Sequence, residues 1–251
     1  MQQSASTAHA ERYNSLLDIK DASLELRRCG GEAVVSKLLE VIYDAGLADE
    51  IGIRLLHKHN EIDAIEIMYE TAVEDEEGFA LVTSATRTSG TDFECNSWQL
   101  NKGKFVPVEF SDRQLVRELD VTKAGPVFAR LADVIKAQNV EHLLGPSLNY
   151  SEAVWGKSPT SDPALLEKTD FDERANVVRF VGRDEAIFIQ STKTKWYAKK
   201  VIDEDGNPSW LTACNCFCSV APEGGHLGTQ THSIPDPNPD PDPDPPYDPG
   251  D

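Results

Sequence analysis

The residues best suited to chemistry form one short run, Cys214-Asn215-Cys216-Phe217-Cys218, followed by His226 and His232. Thiolate and imidazole are the donors that zinc and copper(I) select. A second candidate is His57-Lys58-His59, in a stretch of alternating apolar residues. Imidazoles two apart on a strand point to the same side, so this spacing offers two nitrogens to one ion. The candidate metal ligands are therefore Cys214, Cys216, Cys218, His226, His232, His57 and His59, with zinc as the expected ion.

Geometry limits the thiol run. Residues two apart on a regular strand hold their Cβ atoms roughly 6 to 7 Å apart. Two sulfurs on one tetrahedral zinc sit about 3.8 Å apart, given Zn–S bonds near 2.3 Å. Adjacent cysteines here chelate together only where the strand bulges or ends. Pro222-Glu223-Gly224-Gly225 supplies such an ending and can swing His226 back. If the strand near His57 pairs with the one ending at Cys218, histidines and cysteine converge. The plainer readings also stand: free cysteines packed in a sheet, and buried histidines satisfied by carbonyls or carboxylates.

The elements that must position these residues are read from periodicity. Residues 1–12 are expected as a loose start, and Tyr13 to Leu26 as a short helix ended by Gly30-Gly31. Val34, Val35, Leu38, Leu39, Ile42 and Tyr43 recur at helical spacing, predicting an amphipathic helix over 32–45. The period then changes to two: Ile53, Leu55, His57 and His59 are expected on one core-facing side of a strand. Further strands are expected near 65–70, 79–88, 93–100 and 105–110. A second amphipathic helix is predicted over 126–138, with Pro126 in its first turn. Residues 145–170 read as a long surface connection. Strands resume at 176–181 and 186–190, and Asp203-Glu204-Asp205-Gly206-Asn207-Pro208 joins the arms of a last hairpin, 195–202 and 209–220.

The expected fold class is α+β: a mostly antiparallel sheet, a small barrel being one version of it, with two main amphipathic helices. The expected domains are a flexible N-terminus (1–12), a single globular domain (13–234) and a tail (235–251). The tail alternates proline with small, mostly acidic residues, a composition that predicts an extended, disordered segment.

Composition narrows the function classes. The formal charge is −19 over 251 residues, and six of the acids lie in the tail, leaving −13 on the rest. Such a body repels phosphate backbones and anionic lipid, so neither nucleic acid nor membrane is an expected partner. No apolar run approaches the roughly 20 residues of a membrane span, and Met1 to Arg12 lacks a secretory pattern. Five cysteines, three of them clustered, do not form a secreted disulfide framework. A reducing, cytoplasmic location is the expectation. Phosphate-loop and serine-hydrolase signatures are missing from the sequence.

Two resemblances add to this reading. His57-Lys58-His59, with Glu61 and Glu66 after it and Pro222-Glu223-Gly224-Gly225-His226 late, distantly resembles the cupin pattern. That resemblance implies a metal held by an early His-x-His, a carboxylate and a later histidine inside a barrel. Here Glu61 is too near His59, Glu66 too far, and the glycine frame incomplete. Leu55-Leu56-His57-Lys58-His59 with a late cysteine-rich strand also resembles uncharacterised proteins of filamentous fungi, which implies no activity. Two functions follow as expectations. One is a soluble binding or interaction protein, its partner a protein or a small molecule, with a structural Cys/His zinc site. The other is a small-molecule enzyme whose metal is held by His57 and His59, helped by His226 or Glu66.

Overall fold

In the computed structural model, which describes residues 2–87, 93–184 and 190–220, ten strands close into one barrel. Three helices come first: α1 (Gln2–Asn14), α2 (Ile19–Arg28) and α3 (Glu32–Asp44). β1 (Ile51–Leu55), β2 (Glu66–Asp75), β3 (Gly78–Arg87), β4 (Glu94–Asn101) and β5 (Lys104–Ser111) follow. Helix α4 (Val121–Ala137), β6 (Leu144–Leu148) and the short α5 (Glu152–Trp155) lead into β7 (Pro163–Asp170), β8 (Ala175–Gly182), β9 (Ser191–Ile202) and β10 (Pro208–Ser219). Around the barrel the order is β1-β6-β4-β5-β2-β3-β8-β7-β10-β9, and β9 pairs with β1 to close it. All pairs are antiparallel except β2–β5 and β7–β10. Closure gives each described strand a neighbour on both sides, over only one or two residue pairs at β4–β6, β2–β5 and β1–β9.

The local chemistry explains the elements. Asp18 caps α2 by accepting the Asp21 amide at 2.9 Å, and Gly30 and Gly31 end it at positive φ. Asp120 caps α4 through the Thr122 amide, so the helix starts earlier than expected and carries Pro126 inside it. The apolar faces of α3 and α4 cover the outer side of β1, where Ile51, Ile53 and Leu55 join Trp196, Leu38, Leu39 and Leu131 in the largest core cluster.

Three expectations change. Residues 2–14 are helical rather than loose; Ala10, Tyr13 and Leu16 pack on Leu56, Ile62, Met68 and Val108 and cover one end of the barrel. The segment 145–170 is not a surface connection. It contains β6, buried along its length, α5 and β7. The buried Gly-Pro of β6 hides the strand, because residues that usually form turns are held extended here by pairing with β1. β1 also ends at Leu55, so His57 and His59 lie beyond it. The tail 235–251 and most of the strand expected at 186–190 lie outside the described residues. No described helix is long and apolar enough to cross a membrane.

Two stability predictions follow from this packing. A Cβ on Gly145 would meet the Trp98 carbonyl oxygen at 1.8 Å, whereas one on Gly125, inside α4, meets nothing within 4 Å. Gly145→Ala is expected to cost about 3 kcal/mol or more and Gly125→Ala to stabilise by about 1 kcal/mol, both read from urea midpoints. The second concerns His9 of α1, buried against Phe110 with ring centroids 5.6 Å apart. Burial, aided by the Arg12 charge, lowers its pKa from 6.5 to about 4. The unfolded chain therefore binds the proton more readily. Stability is full above pH 6.5 and falls toward pH 4, by at most about 3 kcal/mol. Urea midpoints at neutral and mildly acid pH should show this loss in the wild type and its absence in His9→Met.

Candidate metal centre and the buried polar belt

Alternation along the strands sends one side chain in two into the barrel, and here many of the inward residues are polar. Register pairs trace them from strand to strand. Arg54 lies opposite Lys195, Ser97 opposite both Ser147 and Glu109, and Glu70 opposite both Ser111 and Thr83. Thr83 is opposite Asn176, Asn176 opposite Thr169, and Glu167 opposite Cys218. The result is a buried polar belt to which every strand contributes. Leu56 and Met68 lie on the α1 side of it. On the other side are Leu81, Leu165 and Val178, with Leu115, Tyr150 and Val154 behind them.

The belt carries three carboxylates and two cations. Arg54 Nη1 is 2.5 Å from Glu109 Oε2, and Arg54 Nη2 is 3.9 Å from Glu167 Oε1. Burial opposes the guanidinium charge, but Glu109 and Glu167 outweigh it and hold the Arg54 pKa above its ordinary value. Lys195 donates to the Leu148 carbonyl at 2.6 Å and sits 4.1 Å from the Tyr150 ring centroid. Burial lowers its pKa, and Arg54 adds to that. Glu70 accepts from Tyr150 at 2.9 Å and from Thr83 at 3.4 Å, while burial pushes its pKa up.

Against this belt sits the group that can hold a metal. His57, His59 and Cys218 place one ligand atom each within 4.8 Å of one another, all three buried. The imidazoles come from the loop after β1 and Cys218 from β10. Glu167 Oε2 is 4.0 Å from His57 Nε2 and 3.8 Å from His59 Nε2. The far side of each ring is engaged. His57 Nδ1 donates to the Leu55 carbonyl at 2.9 Å, and His59 Nδ1 is 3.2 Å from Thr169 Oγ1. A carbonyl only accepts, so His57 in its neutral form carries its lone pair on Nε2, facing the carboxylate. Thr194 donates to Glu167 Oε1 at 3.2 Å, which leaves Oε2 toward the imidazoles. Such outer partners orient metal ligands.

Of the seven candidates named from sequence, the structure brings together three: His57, His59 and Cys218. Register shifts between Cys214 and Cys216, and again before Phe217, separate the cysteines. Cys214 pairs opposite Trp196 on the outer face, and Cys216 lies opposite Leu165 inside. His226 and His232 lie outside the described residues. The histidines do not share a side with Ile53 and Leu55, which face the helices. The carboxylate is neither Glu66, which pairs with Arg174 at 2.8 Å, nor Glu61, which pairs with Lys58 at 2.5 Å. Glu167 is not singled out by the sequence, because the Gly-Pro, Ser-Pro and Asp-Pro signals of 145–170 mask the alternation of Leu165, Glu167 and Thr169. The thiols are poor nucleophiles. Burial pushes the Cys214 pKa up to about 11, and those of Cys216 and Cys218 well above the usual range.

Comparison with protein-family models, with curated proteins and with solved structures finds no match to this chain.

Removing Arg54 leaves Glu109 and Glu167 buried without their cation. Arg54→Met is expected to lower stability by about 3 to 5 kcal/mol, measured by urea unfolding. Adding Glu109→Gln should recover part of that loss.

Proposed function

We propose that this chain is a metal-binding barrel protein in which zinc, held by His57, His59, Cys218 and Glu167, supports a binding scaffold rather than a reaction. The observation that carries this reading is the spacing of Glu167 Oε2 from the two imidazole nitrogens, 4.0 and 3.8 Å. A protonated histidine bonded to a carboxylate sits at about 2.7 to 2.9 Å, so these separations are too long for a direct charged hydrogen bond. Donor atoms on one tetrahedral zinc lie about 3.3 to 3.6 Å apart, given bonds of about 2.0 to 2.3 Å. Contraction of the group around an ion reaches that geometry.

Donor chemistry and charge support zinc. Two imidazoles, a thiolate and a carboxylate suit this borderline ion better than copper(I), which prefers sulfur. A divalent ion balances the Glu167 carboxylate and the Cys218 thiolate, whose proton leaves on binding. Counted in their ionised forms, Glu70 and Glu109 then match Arg54 and Lys195, and the charges of the belt balance. Glu167, drawn in beside the His57, His59 and Cys218 group, would be the fourth donor of a tetrahedron, and the histidine side chains are 0% exposed. Catalytic zinc keeps one position for water or substrate, whereas structural zinc does not. The enzyme reading draws its support from the adjoining charged belt, a dense set of buried ionisable groups of the kind found at active sites.

Elemental analysis of untagged full-length protein, purified under reducing conditions without chelator, is expected to give about one zinc per chain. Cys218→Ala and His57→Ala should lose it, and Cys214→Ala should keep it. Native dialysis against chelator should remove little, while refolding in chelator should lower the thermal midpoint. Wild-type protein that folds with no metal above background would sink the proposal.

A further inference from the structure

The metal-binding group uses one half of the belt, formed by β1, β7, β9 and β10. The other half shows a different chemistry. Ser147 of β6, Ser97 of β4, Ser111 of β5, Glu70 of β2 and Asn176 of β8 all point inward and are at most 2% exposed. Among the described residues, the three serine Oγ atoms, Glu70 Oε2 and both polar side-chain atoms of Asn176 make no hydrogen bond. Register pairs link Ser147 to Ser97 and Glu70 to Ser111. Thr83, which bonds to Glu70 Oε1, bridges Glu70 and Asn176. These groups are therefore neighbours along the wall, Ser97 reaching Ser111 by way of Glu109, while other buried polar atoms such as Thr160 Oγ1, Trp196 Nε1 and Ser219 Oγ also make no hydrogen bond among the described residues. A buried polar group left without a partner costs more than a made bond gains, and such groups are ordinarily met by water or by a polar guest.

We infer that this wall is a second ligand site, which holds a small neutral hydroxylated molecule inside the barrel beside the metal. The donor and acceptor inventory selects that class. Asn176 Oδ1 and, in its ionised form, Glu70 Oε2 only accept, Asn176 Nδ2 only donates, and the serine hydroxyls do either. A guest must both donate and accept, as a polyol does. Phosphates and carboxylates bring mostly acceptors together with negative charge, which meets the Glu70 charge. Neutrality rests on the zinc reading, because the belt balances only when Glu167 and Cys218 are paired with the ion. Without it the belt holds one carboxylate in excess, and an amine would be the favoured guest. Tyr150 stands at the boundary. It bonds to Glu70 and also lines a groove of about 330 Å³ between the β9–β10 hairpin and α5, together with Asn149, Trp155 and Asn215.

The test uses the full chain. Wild-type protein and the triple variant Ser97→Ala/Ser111→Ala/Ser147→Ala are desalted and unfolded, and the released small molecules are quantified by mass spectrometry. Metal is measured in parallel. In a second arm, unfolded and desalted protein is refolded with zinc and isotope-labelled glycerol as the probe, then desalted again. The expected result is a stoichiometric hydroxylated molecule, or retained glycerol, in the wild type and its loss in the variant at unchanged metal content. The variant's thermal midpoint should fall, since the serines hold a guest. A raised midpoint, as removal of unbonded hydroxyls gives, would overturn the inference. So would release of no organic molecule with no glycerol retained, which means that the wall faces water alone. A stoichiometric amine would overturn the neutral class. Guest without metal refutes the zinc reading and not the site; metal without guest refutes the site and not the zinc.

Discussion

Burying Arg54 inside a closed barrel constrains everything around it. A guanidinium taken out of water is tolerated only where carboxylates meet it and its remaining donors are satisfied. Glu109 of β5 and Glu167 of β7 supply that charge from different parts of the wall. Those strands are brought within reach of β1 only by closure of the barrel. The ion pairs and the topology are thus one condition: an open sheet would leave Arg54 without one or both partners. The same condition fixes register, because a slip of one residue would turn Arg54 outward into the apolar layer under α3 and α4.

Glu167 links the charge network to the metal group. Its Oε1 is held by Thr194 and lies near Arg54, and its Oε2 faces the two imidazoles. One carboxylate therefore serves two networks through two oxygens, and the histidines are fixed from behind by Leu55 and Thr169. The β-bulges of the last hairpin contribute as much as any side chain. By shifting register at Cys214 and Cys216 they let one cysteine pack outward while Cys218 reaches the histidines.

The polar belt lies between two apolar layers, and this arrangement strengthens every interaction within it. Low dielectric on both sides raises the strength of the Arg54–Glu109 contact and the cost of any unmatched charge. It also gives the unbonded serine wall its significance, since the same groups at a surface would be hydrated and unremarked.

Much of the fold was legible in the sequence. Helical spacing located α3, alternation located β2 to β5, and the acidic turn before Pro208 located the last hairpin, because each of these is a local pattern with a local cause. His-x-His and the cysteine run were legible as ligand chemistry for the same reason. What the sequence could not determine was the partners. Nothing local marks Glu167 as the carboxylate between the histidines, since its neighbours on either side in space lie far away along the chain. Nothing local sends Ile53 outward and Arg54 inward, because an apolar residue facing helices and one facing a barrel interior look alike in the chain. The middle of this barrel's interior is polar, which reverses the usual assignment of faces there. Only closure of ten strands, with helices supplying the apolar core on the outside, decided which face was which.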